Sequence, residues 1–369
     1  MSMIIKSQLR DYRAEFAATD EFMDSLSEEP QNIFIIDSRV WDLYKSKTFA
    51  KIPLTQTIIQ PVSEDLKNLE SVSKLYDHLL TRQAKRNITL TVIGGGILQD
   101  LCGYVASTLY RGVKWIFIPT TLLAQADSCI GGKTSLNYKN YKNLLGTFFP
   151  PAEIIIYPKF VLTLADLDYY SGLGEVVKLH IMGGREKTAA IRSQLPLLKK
   201  KDLAVLRKAI TESLLIKKGY IEEDEFDRGR RNVLNYGHCF GHAIETISNF
   251  AIPHGQAVVV GMMLANLVSR SRGVLSQEAL DYLHKELLRP SLFLESKLLE
   301  FDPDDLIQAM KKDKKRTGAD LPLIMMQEGF DFIKINDLTE QEARRAISGL
   351  PAATAEEPAS HQQAHLVEP

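Results

Sequence analysis

The chain has 369 residues, a formal net charge of −1, 45% apolar residues and 25% charged residues. That length suits about two domains of roughly 100–200 residues each, and the composition is that of a globular chain able to bury a sizeable core. Near-neutral charge argues against a general nucleic-acid binder. Basic residues gather only locally, at 199–201 and 311–316.

The first thirteen residues, MSMIIKSQLRDYR, carry charges where a secretory leader has its apolar centre, so no leader is expected. Residues 33–36 (IFII) read as a buried strand ending at Asp37. Glu64 and Lys67 follow Pro61 at helical spacing. A second strand, 89–93, runs into Gly94-Gly95-Gly96, and the helical period of 97–109 puts Asp100 one turn inside the next helix. A third, 114–118, ends in Pro119-Thr120-Thr121, and a fourth spans 153–157. Short apolar strands alternating with helices predict a parallel, Rossmann-like α/β layer. Its ligands belong at the carboxyl ends of the strands, where Asp37, the three glycines and Thr120-Thr121 all fall.

After about residue 162 the pattern changes. Helical periods cover 165–183, 186–195, 202–222, 232–248, 255–272, 276–297 and 303–313, and 321–326 could return as a strand. We therefore expect an α/β domain over 1–162 and an all-α domain over 163–350. The composition of 351–369 predicts a disordered tail. The most apolar run, 257–268, is too short for a membrane span of ~20 residues, so no membrane partner is expected. Cys102, Cys129 and Cys239 are too scattered for a disulfide framework or a cysteine zinc site, which fits a reducing, cytoplasmic setting.

The glycine turn at 94–96 lets a phosphate approach the backbone at a helix N-terminus, although it is neither GxGxxG nor a P-loop. Gly131-Gly132-Lys133-Thr134 resembles the end of a P-loop without its upstream glycine. It reads instead as a flexible loop that starts near Asp127 and presents Lys133, followed by Lys142 and Asn143, to an anion. Glu175 and Lys178 lie three residues apart. The run 231–245, read as one helix, puts Arg231, Asn235, His238 and His242 on one face, and His254 follows. By spacing alone His238 and His242 form an i, i+4 metal pair, to which a carboxylate such as Glu175 could add the third ligand of a catalytic zinc site. Lys217 and the charged stretch 224–231 lead into this run, and 312–315 (KDKK) adds cations late in the chain. A metal site that reads a phosphorylated or carboxylated small molecule is the chemistry these groups suit.

In order along the chain, GGGILQD (94–100), LYRGV (109–113), PTTLLAQADSCIGGKT (119–134), KNLLG (142–146), GLGEVVK (172–178), DEFDRGRRNVLNYGHCFGHAIE (224–245), HGQAVVVGM (254–262) and KDKK (312–315) resemble the 3-dehydroquinate synthase family of sugar phosphate cyclases. The resemblance implies an NAD-binding domain, a helical metal- and substrate-binding domain, a recycled NAD and one zinc or cobalt ion. It also implies the reaction course: transient oxidation, β-elimination of phosphate, reduction, ring opening and intramolecular aldol closure, with the substrate phosphate itself accepting the proton.

By position, Glu175, His238 and His254 match the metal ligands, which moves His242 from metal to substrate phosphate. Lys178, Lys217, Arg231, Asn235 and Lys314 match substrate-binding positions. Asp127, Lys133, Lys142 and Asn143 match the loop that meets substrate and nicotinamide. Asp37, Glu64, Lys67, Gly95, Gly96, Asp100, Thr120 and Thr121 match NAD contacts. Arg111 resembles an arginine that reaches the neighbouring subunit's phosphate, which implies a homodimer.

Asn235, His242 and Gly131-Gly132 are kept where sedoheptulose 7-phosphate and 2-deoxy-scyllo-inosose enzymes usually differ. That favours 3-deoxy-arabino-heptulosonate 7-phosphate and the shikimate pathway. The departures are Gln256 for the usual glutamate, Gln99 for a small residue, Met182-Gly183-Gly184 for an acidic stretch, and no basic residue in 318–321. They leave an aminodehydroquinate-type or sedoheptulose 7-phosphate cyclase of secondary metabolism as the alternative. A metal-dependent alcohol dehydrogenase and a non-catalytic ligand-binding relative stand behind it.

Overall fold

The apolar runs become the middle of one seven-stranded sheet. In the computed structural model, which describes residues 2–139, 141–312 and 321–354, the strands are β1 (Ser2–Ile5), β2 (Tyr12–Phe16), β3 (Asn32–Asp37), β4 (Thr57–Gln60), β5 (Thr89–Gly94), β6 (Lys114–Pro119) and, after a separate hairpin of β7 (Lys133–Tyr138) and β8 (Tyr141–Phe148), β9 (Glu153–Ile156). Their order is β1-β2-β9-β6-β5-β3-β4. All neighbours are parallel except β1 with β2. From β3 the chain steps outward to β4; from β5 it steps the other way, to β6. The order therefore reverses between β3 and β5, the crevice where an open parallel sheet binds its ligand. Asp37 and Gly94, the ends of these two strands, sit side by side: a Cβ on Gly94 would lie 3.4 Å from the Asp37 Cβ.

Alternate residues face opposite sides, as strand geometry requires. Phe34, Ile36, Ile93, Ile116 and Ile118 pack with Met23, Phe49 and Phe160 on one face. Ile33, Ile35, Leu90, Val92, Trp115 and Phe117 belong to a larger core that continues into the helices of the second half. Each fully buried Leu or Ile contributes about 1.5–3 kcal/mol, so this shared core ties the two halves together. The helices of the first half are α1 (Phe22–Ser27), α2 (Ser38–Tyr44), α3 (Leu69–Thr81) and α4 (Gly96–Thr108). Helix α4 buries Leu98, Leu101, Cys102, Val105 and Ala106, a stripe of period 3.6.

The second half holds α5 (Asp166–Met182), α6 (Arg185–Lys199), α7 (Leu203–Glu223), α8 (His238–Ile247), α9 (His254–Ser271), α10 (Gln277–Leu283), α11 (Pro303–Lys311) and α12 (Glu340–Thr354). Four expectations change here. The domain is helical, but 321–326 does return as strand β10 (Leu321–Gln327), paired with β11 (Asp331–Leu338). The helix expected over 276–297 is α-helical only to Leu283; it widens into a π turn, His284–Leu288, and ends in a 3-10 turn, Arg289–Ser291, where Pro290 lacks an N–H to continue it. Of the expected tail, residues 351–354 extend α12 beyond buried Leu350; residues 355–369 lie outside the described residues. Finally, 231–248 is not one helix. A short 3-10 turn, Arg230–Asn235, ends before Gly237, whose φ of +80° starts a new helix at His238.

Backbone contacts fix the centre of this half. A Cβ on Gly174 of α5 would meet the Gly255 carbonyl of α9 at 2.4 Å, and one on Gly237 would meet the Val258 carbonyl at 2.6 Å. Helices α5 and α9 and the start of α8 therefore approach to backbone contact. This closeness gathers Glu175, His238 and His254, which come from three separate elements.

Candidate metal and nucleotide site

On the sheet side, Gly95 caps α4, and a Cβ there would press on Thr121 at 3.0 Å. The Thr120 N–H donates to the Gly94 carbonyl at 2.9 Å, and the Thr121 hydroxyl accepts from the Ala124 N–H at 3.1 Å. Asp37 caps α2, accepting from the Arg39 N–H at 2.8 Å; burial raises its carboxyl above the usual range. Gly96 begins the helix beside them. These residues make a backbone cradle at the switch point.

A second group lies where the β7–β8 hairpin docks on α4. The Lys67 ammonium is buried and donates to Asp100 at 3.1 Å and to the Asn143 side-chain oxygen at 2.5 Å. Burial raises the Asp100 carboxyl above its usual range, although Lys67 and the Ser135 hydroxyl oppose the shift. Asn137 donates to the Glu64 carboxylate at 2.9 Å and accepts from the Asn143 N–H at 2.9 Å. Glu64, Lys67, Asp100 and Asn143 are thus one hydrogen-bonded set. Sequence reasoning assigned no role to Ser135 or Asn137, which complete it.

The two halves meet at Asp127, in a wide helical turn, Ala124–Ser128. The Lys217 ammonium of α7 donates to its backbone carbonyl at 2.7 Å and pairs with its carboxylate at 2.6 Å. Lys133 pairs with Asp227. Arg231 is buried, and its guanidinium donates to the Glu225 carbonyl and to the Gly131 carbonyl at 3.2 Å; burial lowers its pKa. Gly131 has φ of +108°, and a Cβ there would strike the guanidinium at 2.3 Å, so this glycine is what lets Arg231 lie under the loop. The Tyr12 hydroxyl of β2 accepts from the Gly131 N–H at 2.8 Å, a contact that no motif in the sequence announced.

Beside Lys217 and Asp127 lies the densest chemistry. The Glu175 carboxylate is fully buried. Its Oε1 is 3.3 Å from the His254 Nε2 and 3.7 Å from the His238 Nε2. Its Oε2 is 2.5 Å from the Lys178 ammonium. Oε2 is thus held by Lys178, whereas Oε1 faces the two imidazole nitrogens from within the buried interior, a setting that a cation bound between them would complete. The outer nitrogens of both rings are engaged: His238 Nδ1 faces the Tyr236 carbonyl at 3.1 Å and His254 Nδ1 faces Glu245 Oε2 at 3.0 Å. Two imidazoles that aim Nε2 at one buried carboxylate, with Nδ1 held behind, form a group of three side chains that could hold a metal ion. His238 and His254 each begin a helix, α8 and α9, whose N-terminal dipoles favour the carboxylate between them.

Burial pushes the Glu175 carboxyl up, but Lys178 and His254 outweigh it and hold the group below its usual range. Burial lowers the His254 pKa, but Glu175 and Glu245 outweigh it and push it up to about 10. The Lys178 ammonium, buried against Glu175, is likewise raised.

His242 stands one turn along α8, its ring 5.3 Å from that of His238 and 5.9 Å from that of His254. It borders the cluster but lies outside the Glu175, His238, His254 trio. The Asn235 side chain donates to the Asn232 carbonyl at 2.9 Å at the end of the 3-10 turn. Lys142 lies 3.7 Å from Glu245 and 3.9 Å from Glu64, so it spans the sheet side and the metal side. Arg111 is exposed beyond α4, before β6 begins, and does not join the cluster. Lys314 lies outside the described residues.

A family description of the 3-dehydroquinate synthase N-terminal domain matches residues 57–171, and that of the C-terminal domain matches 172–316. A 3-dehydroquinate synthase of Dictyoglomus turgidum is 38% identical over 316 residues, covering 82% of this chain and 88% of the relative. A crystal structure of 2-deoxy-scyllo-inosose synthase with carbaglucose-6-phosphate, NAD+ and Co2+ superposes with a TM-score of 0.83 at 23% identity, covering 94% of this chain and 99% of that one. A 2-epi-5-epi-valiolone synthase of Streptomyces hygroscopicus with NAD+ and Zn2+ bound gives 0.80 at 23%, with the same coverage. These two likenesses concern the fold. No helix of the described residues is long and apolar enough to cross a membrane.

Proposed function

The chain belongs to the 3-dehydroquinate synthase family and is an enzyme of the sugar phosphate cyclase type, and we propose that its reaction is the NAD- and metal-dependent cyclisation of 3-deoxy-arabino-heptulosonate 7-phosphate to 3-dehydroquinate, with release of phosphate. The observation that carries this reading is the buried Glu175 carboxylate, turned toward two imidazole Nε2 atoms and paired with Lys178. In this reading Glu175, His238 and His254 hold zinc or cobalt. Asp37, Glu64, Lys67, Gly95, Gly96, Asp100, Thr120 and Thr121 hold NAD+, with Asp127, Lys133 and Lys142 at its nicotinamide end. Bound there, the two would supply a Lewis acid and a hydride acceptor.

The chain's own groups do the rest. Lys178, paired with Glu175, and Lys217, paired with Asp127, orient the hydroxyls of the substrate ring. Arg231, Lys133, His242 and Lys314 place positive charge and hydrogen-bond donors around the phosphate, which lowers the barrier to its departure. Asn235 and Asn143 read hydroxyls from opposite sides of the cleft. Arg111 belongs to the partner's site in a homodimer. The division into a sheet domain over 1–162 and a helical domain over 163–350 then separates cofactor from metal, and a cytoplasmic, shikimate-pathway setting fits the substrate.

The test is an incubation of the purified protein with NAD+, Zn2+ and the heptulosonate phosphate. Stoichiometric phosphate release without net NADH is the expected result. Turnover only with a different sugar phosphate in a substrate panel would move the protein to another cyclase branch. Accumulating NADH would make it a dehydrogenase.

A further inference from the structure

We infer that Glu245 is a positioning residue that links the metal site to the β7–β8 hairpin: one carboxylate oxygen fixes His254 and the other draws Lys142 across the cleft. The inference rests on the metal-site reading above. Glu245 belongs to no ligand set assigned so far, yet it is a buried carboxylate with both oxygens directed at site residues. Oε2 faces His254 Nδ1 at 3.0 Å, and Oε1 faces the Lys142 ammonium at 3.7 Å.

An imidazole whose Nδ1–H donates to a carboxylate keeps the lone pair on Nε2, and its plane is fixed. Nε2 is the atom of His254 that faces Glu175. Glu245 could instead be counted as a ligand, since it also groups with His242 and His254. The geometry decides against that. Oε2 of Glu245 faces His254 Nδ1, the ring nitrogen turned away from Glu175, whereas Oε1 of Glu175 faces the Nε2 atoms of both His238 and His254.

The second oxygen works at longer range. Lys142 is held from three sides, by Glu245, by Glu64 at 3.9 Å and by the Phe250 ring, 3.6 Å below its ammonium. Phe250 reaches that place through a strained turn: Asn249 and Phe250 both adopt positive φ, +47° and +63°. For a bulky side chain this conformation is unfavourable and persists only where the surroundings impose it. The Phe250 N–H donates to the backbone carbonyl of Glu245 itself at 2.9 Å. One residue therefore holds the metal ligand with its side chain and the seat of Lys142 with its backbone. Ordering His254 on a metal orders Glu245, and through it the hairpin that carries Lys133, Lys142 and Asn143.

The test measures zinc affinity by competition with a chromogenic chelator, and hydrogen exchange of 133–148 with and without zinc, on the full chain. Glu245→Ala should weaken zinc binding about 10–100-fold, the usual cost of losing such a support, and should abolish the zinc-induced protection of the hairpin. Glu245→Gln keeps an acceptor for Nδ1 but loses the charge; it should recover most of the zinc affinity and little of the hairpin protection. Lys142→Ala should do the same, because it leaves His254 supported. A wild-type chain that binds no zinc overturns the metal-site reading and this inference with it. Wild type that binds zinc while Glu245→Ala binds equally tightly, or Glu245→Ala that binds none, like Glu175→Ala, overturns the inference alone. If Glu245→Ala does not fold, the Gln variant decides: unchanged hairpin exchange refutes the link.

Discussion

At the scale of single residues, three histidines within seventeen positions divide into different tasks. His238 and His254 aim Nε2 at Glu175, and His242 stands beside them, grouped with Glu245 and His254 rather than with Glu175. His254→Ala should therefore reduce zinc content in the purified protein from about one per chain to near none. His242→Ala should keep the metal and raise the KM for the sugar phosphate. Elemental analysis beside steady-state kinetics would show it, and the opposite pattern would exchange the two roles. The i, i+4 spacing of His238 and His242 sees only one element. The structure instead groups His238 with Glu175 and with His254, which arrives on α9, brought in by glycine contacts between backbones.

Gln256, which looked from the sequence like a mark of altered chemistry, is instead explained by its neighbours. Its amide donates to the Tyr170 and Ser291 carbonyls at 2.9 and 3.1 Å, and its oxygen accepts from the Phe293 N–H at 2.6 Å. A carboxylate cannot donate to two carbonyls. Gln256→Glu, fully buried, should then cost about 3 kcal/mol of stability, seen as a lower urea midpoint at pH 8, with the substrate preference unchanged. A changed substrate preference would restore Gln256 as a specificity position.

At the scale of elements, the junction at Gly237 organises the site. It ends the 3-10 turn that carries Arg231 and Asn235 and starts α8 with His238, so the two sets face different partners: Arg231 turns under Gly131, and His238 turns toward Glu175. Gly237→Ala would put a Cβ at φ of +80° and 2.6 Å from the Val258 carbonyl. Strain and overlap together should destabilise the chain by about 2–5 kcal/mol, readable by denaturant titration, with zinc affinity falling as the helix start shifts. The sequence could not reveal this break, because a helical period of polar residues runs straight through it.

The inner strands were legible because four consecutive apolar residues, as in 33–36, leave few alternatives. Strand β2 was not. Its pattern of Tyr12, Ala14 and Phe16 inward with Arg13 and Glu15 outward belongs to a strand near the sheet edge, and the charges hid it within a stretch that read only as an N-terminus. The hairpin was hidden for another reason: glycines and lysines at 131–146 suggest a loop, and only docking on α4 and Glu64 makes them strands. Of the residues named for the nucleotide side, Glu64, Lys67 and Asp100 form one hydrogen-bonded set, and Asp37, Gly95, Thr120 and Thr121 lie at the carboxyl ends of β3, β5 and β6.

At the scale of the whole molecule, Arg111 is the outlier. It follows α4 and precedes β6, so it lies at the amino ends of the strands, while the cradle of Gly95 and Thr120 lies at their carboxyl ends. The six residues of β6 put roughly 20 Å between these two levels. Its backbone is committed to that place, since Tyr110, Arg111 and Gly112 all have positive φ. An arginine so fixed and so exposed does not turn back into its own cleft. If it serves a site at all, that site belongs to a second copy, and a two-fold dimer would let each chain supply the other. Complementation decides this. Arg111→Ala should lose activity because its partner's site lacks a phosphate contact, and Lys178→Ala should lose activity within its own site. In a mixed dimer, the Arg111→Ala chain keeps its own Lys178 and receives Arg111 from the Lys178→Ala chain, so one of the two sites is whole. Random exchange of equal amounts makes about half the dimers mixed, and about a quarter of all sites should then regain activity. Recovery to that level after the two inactive variants are mixed supports action across the dimer. Activity that stays at the level of the separate variants, in dimers shown to have exchanged subunits, would place Arg111 outside the chemistry altogether.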